Sequence, residues 1–200
     1  MLNVLIAIEG IDGSGKTTIA RFLEEELRKI GYDVVKFKEP TDSEYGMKIR
    51  KILKERNLSP REELELFLKD RELDVRDNIL PALKSGKIVI MDRYYYSTIA
   101  YQGALGLDVE EIKELNKKFP KPDLVLILDV RPEKALERIK TKRLLNRFEN
   151  LNYLKKVREI FLKLEDNVIV VNAERELEDV KREVLRIVLK HLETFLKDRG

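Results

Sequence analysis

A glycine-rich segment between an apolar run and a helical repeat of apolar residues limits the fold more than any other feature. Residues 10–17 are Gly-Ile-Asp-Gly-Ser-Gly-Lys-Thr, which fits G-x-x-x-x-G-K-[ST] throughout. Leu2–Ile8 before it predicts a strand covered on both faces, and Thr17–Ile30 after it predicts a helix. A strand, this turn and a helix in that order predict a loop whose backbone N–H groups surround phosphate groups. The alternative is a glycine-rich turn with an incidental lysine.

Three side chains in or near this segment suit a bound triphosphate. Lys16 lies where an ammonium group reaches the β and γ oxygens, and the Thr17 hydroxyl is typical of a Mg²⁺ ligand. Asp92, at the end of a later apolar run, supplies a carboxylate for the same ion and is followed by a basic residue. Asp129 ends a similar run and is the rival candidate, although capping of the next helix also explains it. The pattern therefore predicts binding of a nucleoside triphosphate.

Five apolar runs alternate with helical patterns along the chain. The predicted strands are Leu2–Ile8, Asp33–Lys38, Lys87–Met91, Leu124–Val130 and Val168–Val171. The predicted helices are Thr17–Ile30, a long helix from Ser59-Pro60 that Pro81 kinks or restarts, Pro132–Lys140, Leu151–Leu164 and Glu176–Lys197. Buried strands separated by helices predict an α/β fold, a five-stranded parallel sheet with helices on both faces. We expect one domain over residues 1–200, with ligands beyond the carboxyl ends of the strands.

The composition excludes several kinds of site and partner. The 200 residues include no cysteine, which excludes a disulfide framework, and one histidine, which excludes a site built from two imidazoles. Forty basic and 37 acidic residues leave a net charge of +3, so we expect no nucleic acid partner. No apolar run reaches the roughly 20 residues that span a bilayer, and the N-terminal residues lack the features of a signal peptide. We expect a cytoplasmic protein without a membrane partner.

A basic segment at about residues 138–150 is a candidate lid over the bound phosphates. Arg138, Lys140, Lys142, Arg143 and Arg147 fall within ten residues that include no acidic residue. Phosphoryl transfer depends on charge stabilisation, and a well-placed arginine accelerates it by ~10³–10⁵. The four variable positions of the glycine-rich segment hold no cation, so such an arginine has to come from elsewhere in the chain. The alternative is a solvated helical face.

The glycine-rich segment by itself leaves motor, GTPase and kinase functions open. GTPases bind guanine through N-K-x-D, and the nearest string, residues 116–119, is Asn-Lys-Lys-Phe and lacks the aspartate. A nucleotide-dependent switch or assembly module is a further alternative, which predicts slow hydrolysis and no small-molecule acceptor. Asp92-Arg93-Tyr94 argues against a switch, because a switch does not need a second anion pocket.

Together with the predicted strands, these motifs resemble the thymidylate kinase family over nearly the whole chain. Glu9–Thr18 looks like the family's first motif, and Asp92-Arg93-Tyr94, followed by Ser97 and Ala100-Tyr101-Gln102, is similar to its second. Further similarities lie at Phe67, Asp70-Arg71, Pro122-Asp123, Leu128-Asp129-Val130 and Arg147-Phe148-Glu149. The resemblance implies a nucleotide kinase of the P-loop NTPase type, which uses Mg²⁺ to transfer the γ-phosphoryl group of ATP to dTMP. The products would be dTDP, for dTTP synthesis, and ADP. It also implies a homodimer. A kinase of another nucleotide or of a nucleoside remains the alternative.

The resemblance also implies roles for individual residues. Asp12 would accept a hydrogen bond from the deoxyribose 3′-hydroxyl, Phe67 would stack on thymine, and Arg71 would bond a carbonyl of the base. Arg93 would hold the acceptor phosphate, and Tyr101 lies where its bulk would crowd a ribose 2′-hydroxyl. The implied dTMP contacts are Asp12, Phe67, Arg71, Arg93, Thr98 at the pyrimidine N3 edge, Tyr101 and Gln102. The implied ATP contacts are Gly10, Ile11, Asp12, Gly13, Ser14, Gly15, Lys16, Thr17 and Thr18. The implied catalytic residues are Lys16, Arg93, Arg143 and Arg147, and the implied metal ligands are Thr17 and Asp92.

From the residues alone, four of these side chains have simpler explanations. Tyr101 and Gln102 are also explained as the end of a helix. Phe67 lies on an apolar helical stripe and is also explained as a core residue. Arg71 is also explained as the partner of Glu72 or Asp74 on its own helix.

Two features depart from the family pattern. Many bacterial members carry Arg-Glu-Pro-Gly-Gly-Thr after the second strand, where this chain has Lys-Glu-Pro-Thr-Asp-Ser at residues 38–43. We therefore expect a different backbone in that loop. Some relatives place a basic residue inside the glycine-rich segment, and this chain does not. It thus resembles the branch that uses lid arginines, with Arg143 and Arg147 as candidates and Arg138 in reserve.

Overall fold

The carboxyl ends of five parallel strands form one edge of the fold, and the chain's polar motifs follow those ends. A computed structural model describes residues 2–55, 58–140 and 150–197. Within them the strands are β1 (Val4–Glu9), β2 (Val34–Lys38), β3 (Ile88–Asp92), β4 (Leu124–Asp129) and β5 (Val168–Asn172). All of them pair in parallel, as the alternation of strands and helices predicts, and their order in the sheet is β2-β3-β1-β4-β5.

Helices connect the strands and cover both faces of the sheet. The described helices are α1 (Lys16–Ile30), α2 (Glu44–Glu55), α3 (Pro60–Asp74), α4 (Leu80–Lys84), α5 (Tyr95–Ala104), α6 (Val109–Asn116), α7 (Pro132–Lys140), α8 (Leu151–Phe161) and α9 (Leu177–Lys197). Helices α1 and α9 cover one face, where they pack on Val4, Ile6 and Ile8 of β1. The alternate residues Leu5 and Ala7 point into a second apolar cluster, which helices α3, α5 and α8 share. None of the helices in the described ranges is long and apolar enough to cross a membrane.

The register of the central strands brings the glycine-rich segment next to Asp92. Ile8 of β1 pairs with Asp92 of β3, and Glu9 pairs with Ile127 of β4. Residues 10–15 leave the sheet between these two neighbours, and α1 begins at Lys16. The strand pairing therefore determines which side chains can meet the glycine-rich segment of residues 10–17, which we call the phosphate loop.

The predicted start of the long helix is confirmed, and a new helix begins beside Pro81 as predicted, although the break itself starts earlier. Ser59 accepts a hydrogen bond from the Glu62 amide while the Glu62 side chain accepts one from the Ser59 amide, so a capping box begins α3. The helix changes to a five-residue π-turn at Val75–Ile79, before Pro81 is reached. Pro81 then lies in the first turn of α4, where a missing N–H does no harm. Helices α2, α5 and α6 have no counterpart among the predicted elements.

The prediction that all five strands are buried is wrong for β5. Ile169 and Val170 are 39% and 46% exposed. β5 lies at the edge of the sheet and pairs only with β4, so the helices beside it leave part of the strand open. An apolar run by itself does not distinguish an edge strand from a central one.

Candidate functional site

Glycines at positions 10 and 13 let the phosphate loop pass close to its neighbours. A Cβ on Gly10 would lie 2.6 Å from the Leu128 carbonyl oxygen, and a Cβ on Gly13 would lie 2.4 Å from that of Ala135. Their φ angles, +137° and +81°, are in a region that favours glycine. Any side chain at these two positions would push the loop away from β4 or α7. The glycine pattern thus has a steric cause as well as a conformational one.

The Lys16 ammonium group lies within the loop to which it belongs. Its Nζ donates to the Ile11 carbonyl oxygen at 2.8 Å and lies 3.4 Å from Ser14 Oγ. Burial lowers the pKa of Lys16 to about 7, although Asp12 and Asp92 favour the charged form. An anion inside the loop would favour the ammonium form. The structure therefore supplies a cation that is poorly solvated until an anion arrives.

Thr17 and Asp92 lie together beside this loop. Thr17 Oγ1 donates to Asp92 Oδ2 at 2.6 Å, and the Asp92 residue is 1% exposed. The rival Asp129 is engaged elsewhere, because both of its oxygens accept hydrogen bonds from Arg158, at 2.6 and 2.8 Å. A hydroxyl and a carboxylate oxygen are donors that Mg²⁺ prefers. Three or more His, Cys, Asp or Glu side chains do not cluster anywhere in the described ranges, so the metal's other ligands would be phosphate oxygens and water.

Arg93 faces the phosphate loop from the end of β3. Its backbone adopts φ +75°, unusual for a residue other than glycine. Its Nη2 donates to Asp12 Oδ1 at 2.5 Å, and its Nη1 donates to Ser97 Oγ at 3.0 Å. The guanidinium also lies over the Tyr101 ring, 5.2 Å from the centroid. Arg93 and Tyr101 thus form one cluster with Asp12, which lies 81 and 89 residues away from them in the sequence.

The Tyr101 hydroxyl contacts Asp12 in two ways. Its oxygen accepts a hydrogen bond from the Asp12 amide at 2.9 Å, and its proton points to Asp12 Oδ2 at 3.2 Å. The same hydroxyl therefore fixes both the backbone and the carboxylate of a residue of the phosphate loop.

A cavity of about 510 Å³ opens beside this cluster. Its wall includes six of the side chains singled out in the sequence: Asp12, Phe67, Arg93, Thr98, Tyr101 and Gln102. Phe67 is partly exposed and does not lie wholly in the core. The Gln102 side chain is buried, and its Oε1 has no hydrogen-bond partner within the described structure. The wall thus combines an aromatic side chain, an unpaired amide oxygen and a guanidinium group.

Arg71 does not line this cavity and is held by buried partners. Its residue is 1% exposed, and its Nε donates to both oxygens of Glu39, at 3.2 and 3.0 Å. Its Nη1 donates to Asn116 Oδ1 at 2.8 Å, and its Nη2 donates to Thr98 Oγ1 at 3.0 Å. Glu39 and Thr98 themselves lie in the cavity wall. Arg71 is thus paired with Glu39, which belongs to the loop of residues 38–43. Within the described part of the chain, Arg71 forms no ion pair with Glu72 or Asp74.

The loop that departs from the family pattern is fixed by Asp70, which sequence analysis named only as part of a family similarity, and by Arg50, which it missed. Asp70 accepts hydrogen bonds from the Thr41 amide, at 2.8 Å, and from the Ser43 hydroxyl, at 2.6 Å. Arg50 of α2 donates to the Thr41 carbonyl at 2.6 Å and pairs with Asp42 at 2.8 Å. Arg50 also lines the cavity, together with the basic residues Lys38 and Arg93. Its place depends on α2, which the sequence pattern did not predict.

Arg143 and Arg147, which were predicted as lid arginines, lie outside the described residues. Arg138 lies on α7, where its Nη2 donates to the Ala173 carbonyl oxygen at 2.9 Å. Its Nη1 makes a longer contact of 3.4 Å to the Gly13 carbonyl oxygen. Arg138 therefore connects α7 to the phosphate loop and to the chain that follows β5.

A second cavity of about 510 Å³ lies between the start of α5, helix α6 and the end of α8. Lysines line it, but Lys113, Lys117 and Lys121 each pair with a neighbouring carboxylate. The two cavities have the same volume, so volume does not distinguish them. Their lining residues do, because no residue of the glycine-rich segment is among the described residues that line the second cavity.

Comparisons with known proteins agree on one family. The sequence pattern of the family described as thymidylate kinase matches residues 8–184. A protein of Archaeoglobus fulgidus named "Probable thymidylate kinase" is 55% identical over 195 residues, which cover 96% of each chain. A "Thymidylate kinase" of Xylella fastidiosa is 43% identical over 98% of this chain and 96% of its own. Another of Desulfotalea psychrophila is 46% identical over 90% of this chain and 92% of its own.

Proposed function

Because this chain belongs to the thymidylate kinase family, we propose that it transfers the γ-phosphoryl group of ATP to dTMP, giving dTDP and ADP. The observation that carries the proposal is the cavity lined by Phe67, Gln102 and Arg93, which reaches the phosphate loop at Asp12. An aromatic ring suits a flat base, and a guanidinium suits a phosphate. One pocket thus offers partners for both ends of a nucleoside monophosphate, next to a loop built for a triphosphate.

The thymine base would stack on Phe67. The unpaired Gln102 Oε1 would accept a hydrogen bond from a donor of the base, and thymine carries such a donor at N3. Thr98 supplies a second polar group nearby. Arg71 would act on the base through Thr98 and Glu39, or directly if that pairing rearranges when the nucleotide binds. A buried acceptor without a partner costs about 1–3 kcal/mol, so a base that fills the cavity would recover part of this loss.

At the sugar, the proposed partners are Asp12 and Tyr101. The Asp12 carboxylate would accept the 3′-hydroxyl, while the Tyr101 ring would occupy the space that a ribose 2′-hydroxyl requires. The hydrogen bonds between Tyr101 and Asp12 support this pairing of roles, because they fix both groups against one another. Discrimination against ribose would then be steric.

The transfer itself would proceed without a covalent intermediate. Backbone N–H groups of residues 10–18 and the Lys16 ammonium would bind the β and γ phosphates of ATP. Arg93 would exchange its present partner Asp12 for the 5′-phosphate of dTMP and align it for attack. Arg143 or Arg147 of the lid would stabilise the negative charge of the transition state. Thr17 and Asp92 would hold Mg²⁺, which neutralises phosphate charge when it is bound.

Two broader expectations are part of the same proposal. The family resemblance implies a homodimer, and light scattering of the purified protein tests it through the mass in solution. The cytoplasmic location and the single domain over residues 1–200 also stay predictions.

The test is ADP release from ATP and Mg²⁺ in the presence of single acceptors. We expect turnover with dTMP, less with dUMP and dCMP, and least with 5-methyluridine 5′-monophosphate, which differs from dTMP only by the 2′-hydroxyl. A preference for another monophosphate or for thymidine would favour the alternative kinase. Turnover that is independent of an acceptor would favour a nucleotide-dependent switch. EDTA should abolish the activity.

A pair of variants on one helix controls this assay. Lys16→Met removes the cation of the phosphate loop and should reduce kcat at least 100-fold, because the positive charge that stabilises the transferred phosphoryl group is lost. Lys29→Met makes the same change at the exposed far end of α1, where the lysine pairs with Glu26 at 2.6 Å. It should leave kcat unchanged. Equal losses in both variants would contradict the role of Lys16.

A further inference from the structure

Glu9 is a buried carboxylate for which the proposed function gives no role. It is the last residue of β1, it precedes Gly10 directly, and it is 0% exposed. Burial raises the pKa of Glu9 to about 7, against the opposing effects of Ser97 and Arg93. A carboxylate that is removed from water at this cost needs partners for its oxygens.

Both oxygens of Glu9 have partners on the segment that carries Arg93. Its Oε1 accepts a hydrogen bond from the Tyr94 amide at 2.8 Å, and its Oε2 accepts one from the Ser97 hydroxyl at 2.6 Å. The Ser97 oxygen in turn accepts a hydrogen bond from Arg93 Nη1 at 3.0 Å. When Glu9 is ionised, carboxylate, hydroxyl and guanidinium thus form a continuous chain in which Arg93 donates to Ser97 and Ser97 donates to Glu9.

This chain holds Arg93 in a backbone conformation that is unfavourable by itself. The φ angle of +75° strains the backbone of a residue that carries a Cβ. The Arg93 amide donates to the Ile8 carbonyl at 3.1 Å, and the next amide, that of Tyr94, donates to Glu9. The end of β1 therefore holds the backbone on both sides of the strained residue. Helix α5 starts right after it without a side-chain cap of its own, so Glu9 also supplies an acceptor at that N-terminus.

We propose that Glu9 is a positioning residue that directs the Arg93 guanidinium toward the acceptor phosphate through Ser97 and the Tyr94 amide. The inference rests on the proposed function, because it takes the phosphate of dTMP as the ligand of Arg93. Glu9 lies on the strand that leads into the phosphate loop, so the same strand end places the donor site and the acceptor-binding arginine. The distance between the two sites is then fixed by β1 and its pairing with β3.

Glu9→Gln changes the hydrogen bonding and keeps the size of the side chain. The amide oxygen can still accept from Tyr94, but the amide nitrogen donates and cannot accept the Ser97 proton. The Ser97 hydroxyl must then turn its proton away from residue 9. This rotation weakens the hydrogen bond that the Ser97 oxygen accepts from Arg93. We expect calorimetric titration to show a Kd for dTMP about tenfold higher than in the wild type. The Kd for thymidine should change less than twofold, because thymidine lacks the phosphate that Arg93 would bind.

Asp123→Asn is the matched control. Asp123 Oδ2 accepts a hydrogen bond from the Leu5 amide at 2.8 Å, so it is a carboxylate that binds the other end of the same strand. The same exchange of carboxylate for amide there should leave both Kd values unchanged. An equal loss of dTMP affinity in both variants would show a general effect on β1 and overturn the proposal.

Ser97→Ala provides a second variant if Glu9→Gln does not fold. It removes the middle group of the chain at a position that is only partly buried. It should weaken dTMP binding severalfold without an effect on thymidine, and it should add little to Glu9→Gln in the double variant. Unchanged dTMP affinity, equal weakening of dTMP and thymidine, or full additivity would each overturn the inference. A wild-type protein that does not bind dTMP would instead contradict the proposed function.

Discussion

At the residue scale, a buried acidic side chain on α3 has incomplete hydrogen bonding. Asp74 on α3 is 3% exposed, and its Oδ2 has no hydrogen-bond partner in the described structure. Asn78 donates to its other oxygen at 2.8 Å, Asp70 and Asp77 repel it, and Arg71 attracts it. Burial is the largest effect and raises the pKa of Asp74 to about 6.

This pKa predicts how the stability of the protein depends on pH. Asp74 keeps its proton up to about pH 6 in the folded state, whereas in the unfolded state it loses the proton near pH 4. The free energy of unfolding that Asp74 contributes is therefore fully present below about pH 4 and is lost as the pH rises through 6. Asp74→Asn should therefore stabilise the protein, relative to the wild type, by roughly 2–3 kcal/mol more at pH 7.5 than at pH 4. Urea denaturation at both pH values measures the difference.

The neighbouring Asp77→Asn variant is the control for that measurement. Asp77 is exposed and pairs with Arg76, which lowers its pKa, so its replacement should not stabilise the protein at higher pH. A stability difference for Asp74→Asn that is the same at both pH values would contradict the buried-carboxylate account.

The site residues differ in how far the sequence could predict them. The glycine-rich segment and its lysine follow from a local pattern, since a strand, a tight turn and a helix N-terminus are all encoded within thirty residues. The preference for Asp92 over Asp129 rested on the basic residue that follows Asp92, and the ion pair of Asp129 with Arg158 gives a separate reason for it. The buried pairing of Arg71 with Glu39 joins positions 32 residues apart, and neither local pattern nor spacing indicates it.

At the element scale, α7 packs directly against the phosphate loop. The Ala135 carbonyl of α7 occupies the space where a Cβ of Gly13 would lie, and Arg138 of the same helix connects Gly13 to Ala173. Helix α7 leads into the segment that we assign to the lid. The phosphate loop and α7 are therefore packed directly against each other, and we expect a change in either to affect nucleotide binding.

Gly13→Ala tests this packing. Its Cβ would meet a backbone oxygen at 2.4 Å, and backbone cannot move aside as a flexible side chain can. We expect the affinity for a non-hydrolysable ATP analogue to fall at least tenfold, with a loss of stability of about 1–3 kcal/mol from overpacking. Calorimetric titration and urea denaturation measure the two effects.

Gly31→Ala separates backbone strain from this clash. Gly31 ends α1 with φ +104°, and nothing lies within 4 Å of its Cβ position. This variant should lose about 1 kcal/mol of stability and keep its affinity for the analogue. A Gly13→Ala protein that binds the analogue as well as Gly31→Ala does would contradict the role of α7.

Some elements could be predicted and others could not, for physical reasons. Ser59, Pro60 and Glu62 encode the start of α3 locally, because the cap and the first turn satisfy each other's hydrogen bonds. Helix α2 is fixed by tertiary contacts, among them the bonds from Arg50 to the loop after β2. The π-turn at Val75–Ile79 has no proline or glycine to mark it. Such elements follow from packing, which a local pattern does not contain.

At the scale of the whole molecule, parallel pairing accounts for the position of the site. The order β2-β3-β1-β4-β5 places the ends of β1 and β3 side by side at the centre of the sheet. Alternating strands and helices predicted this class of fold, because parallel neighbours need helical crossovers. The same pattern could not predict that β5 lies at an edge of the sheet. The residues of β5 do not indicate its position, which depends on the order in which the strands pair.

The central claim is that two neighbouring pockets hold the two nucleotides with their phosphates facing each other. A crystal structure with dTMP and a non-hydrolysable ATP analogue tests it most directly. We expect the triphosphate within residues 10–18, thymine against Phe67 and the dTMP phosphate at Arg93, in line with the γ-phosphate. Finding dTMP in the lysine-lined cavity beside Tyr96 and Phe119, or the triphosphate away from Lys16, would contradict the account.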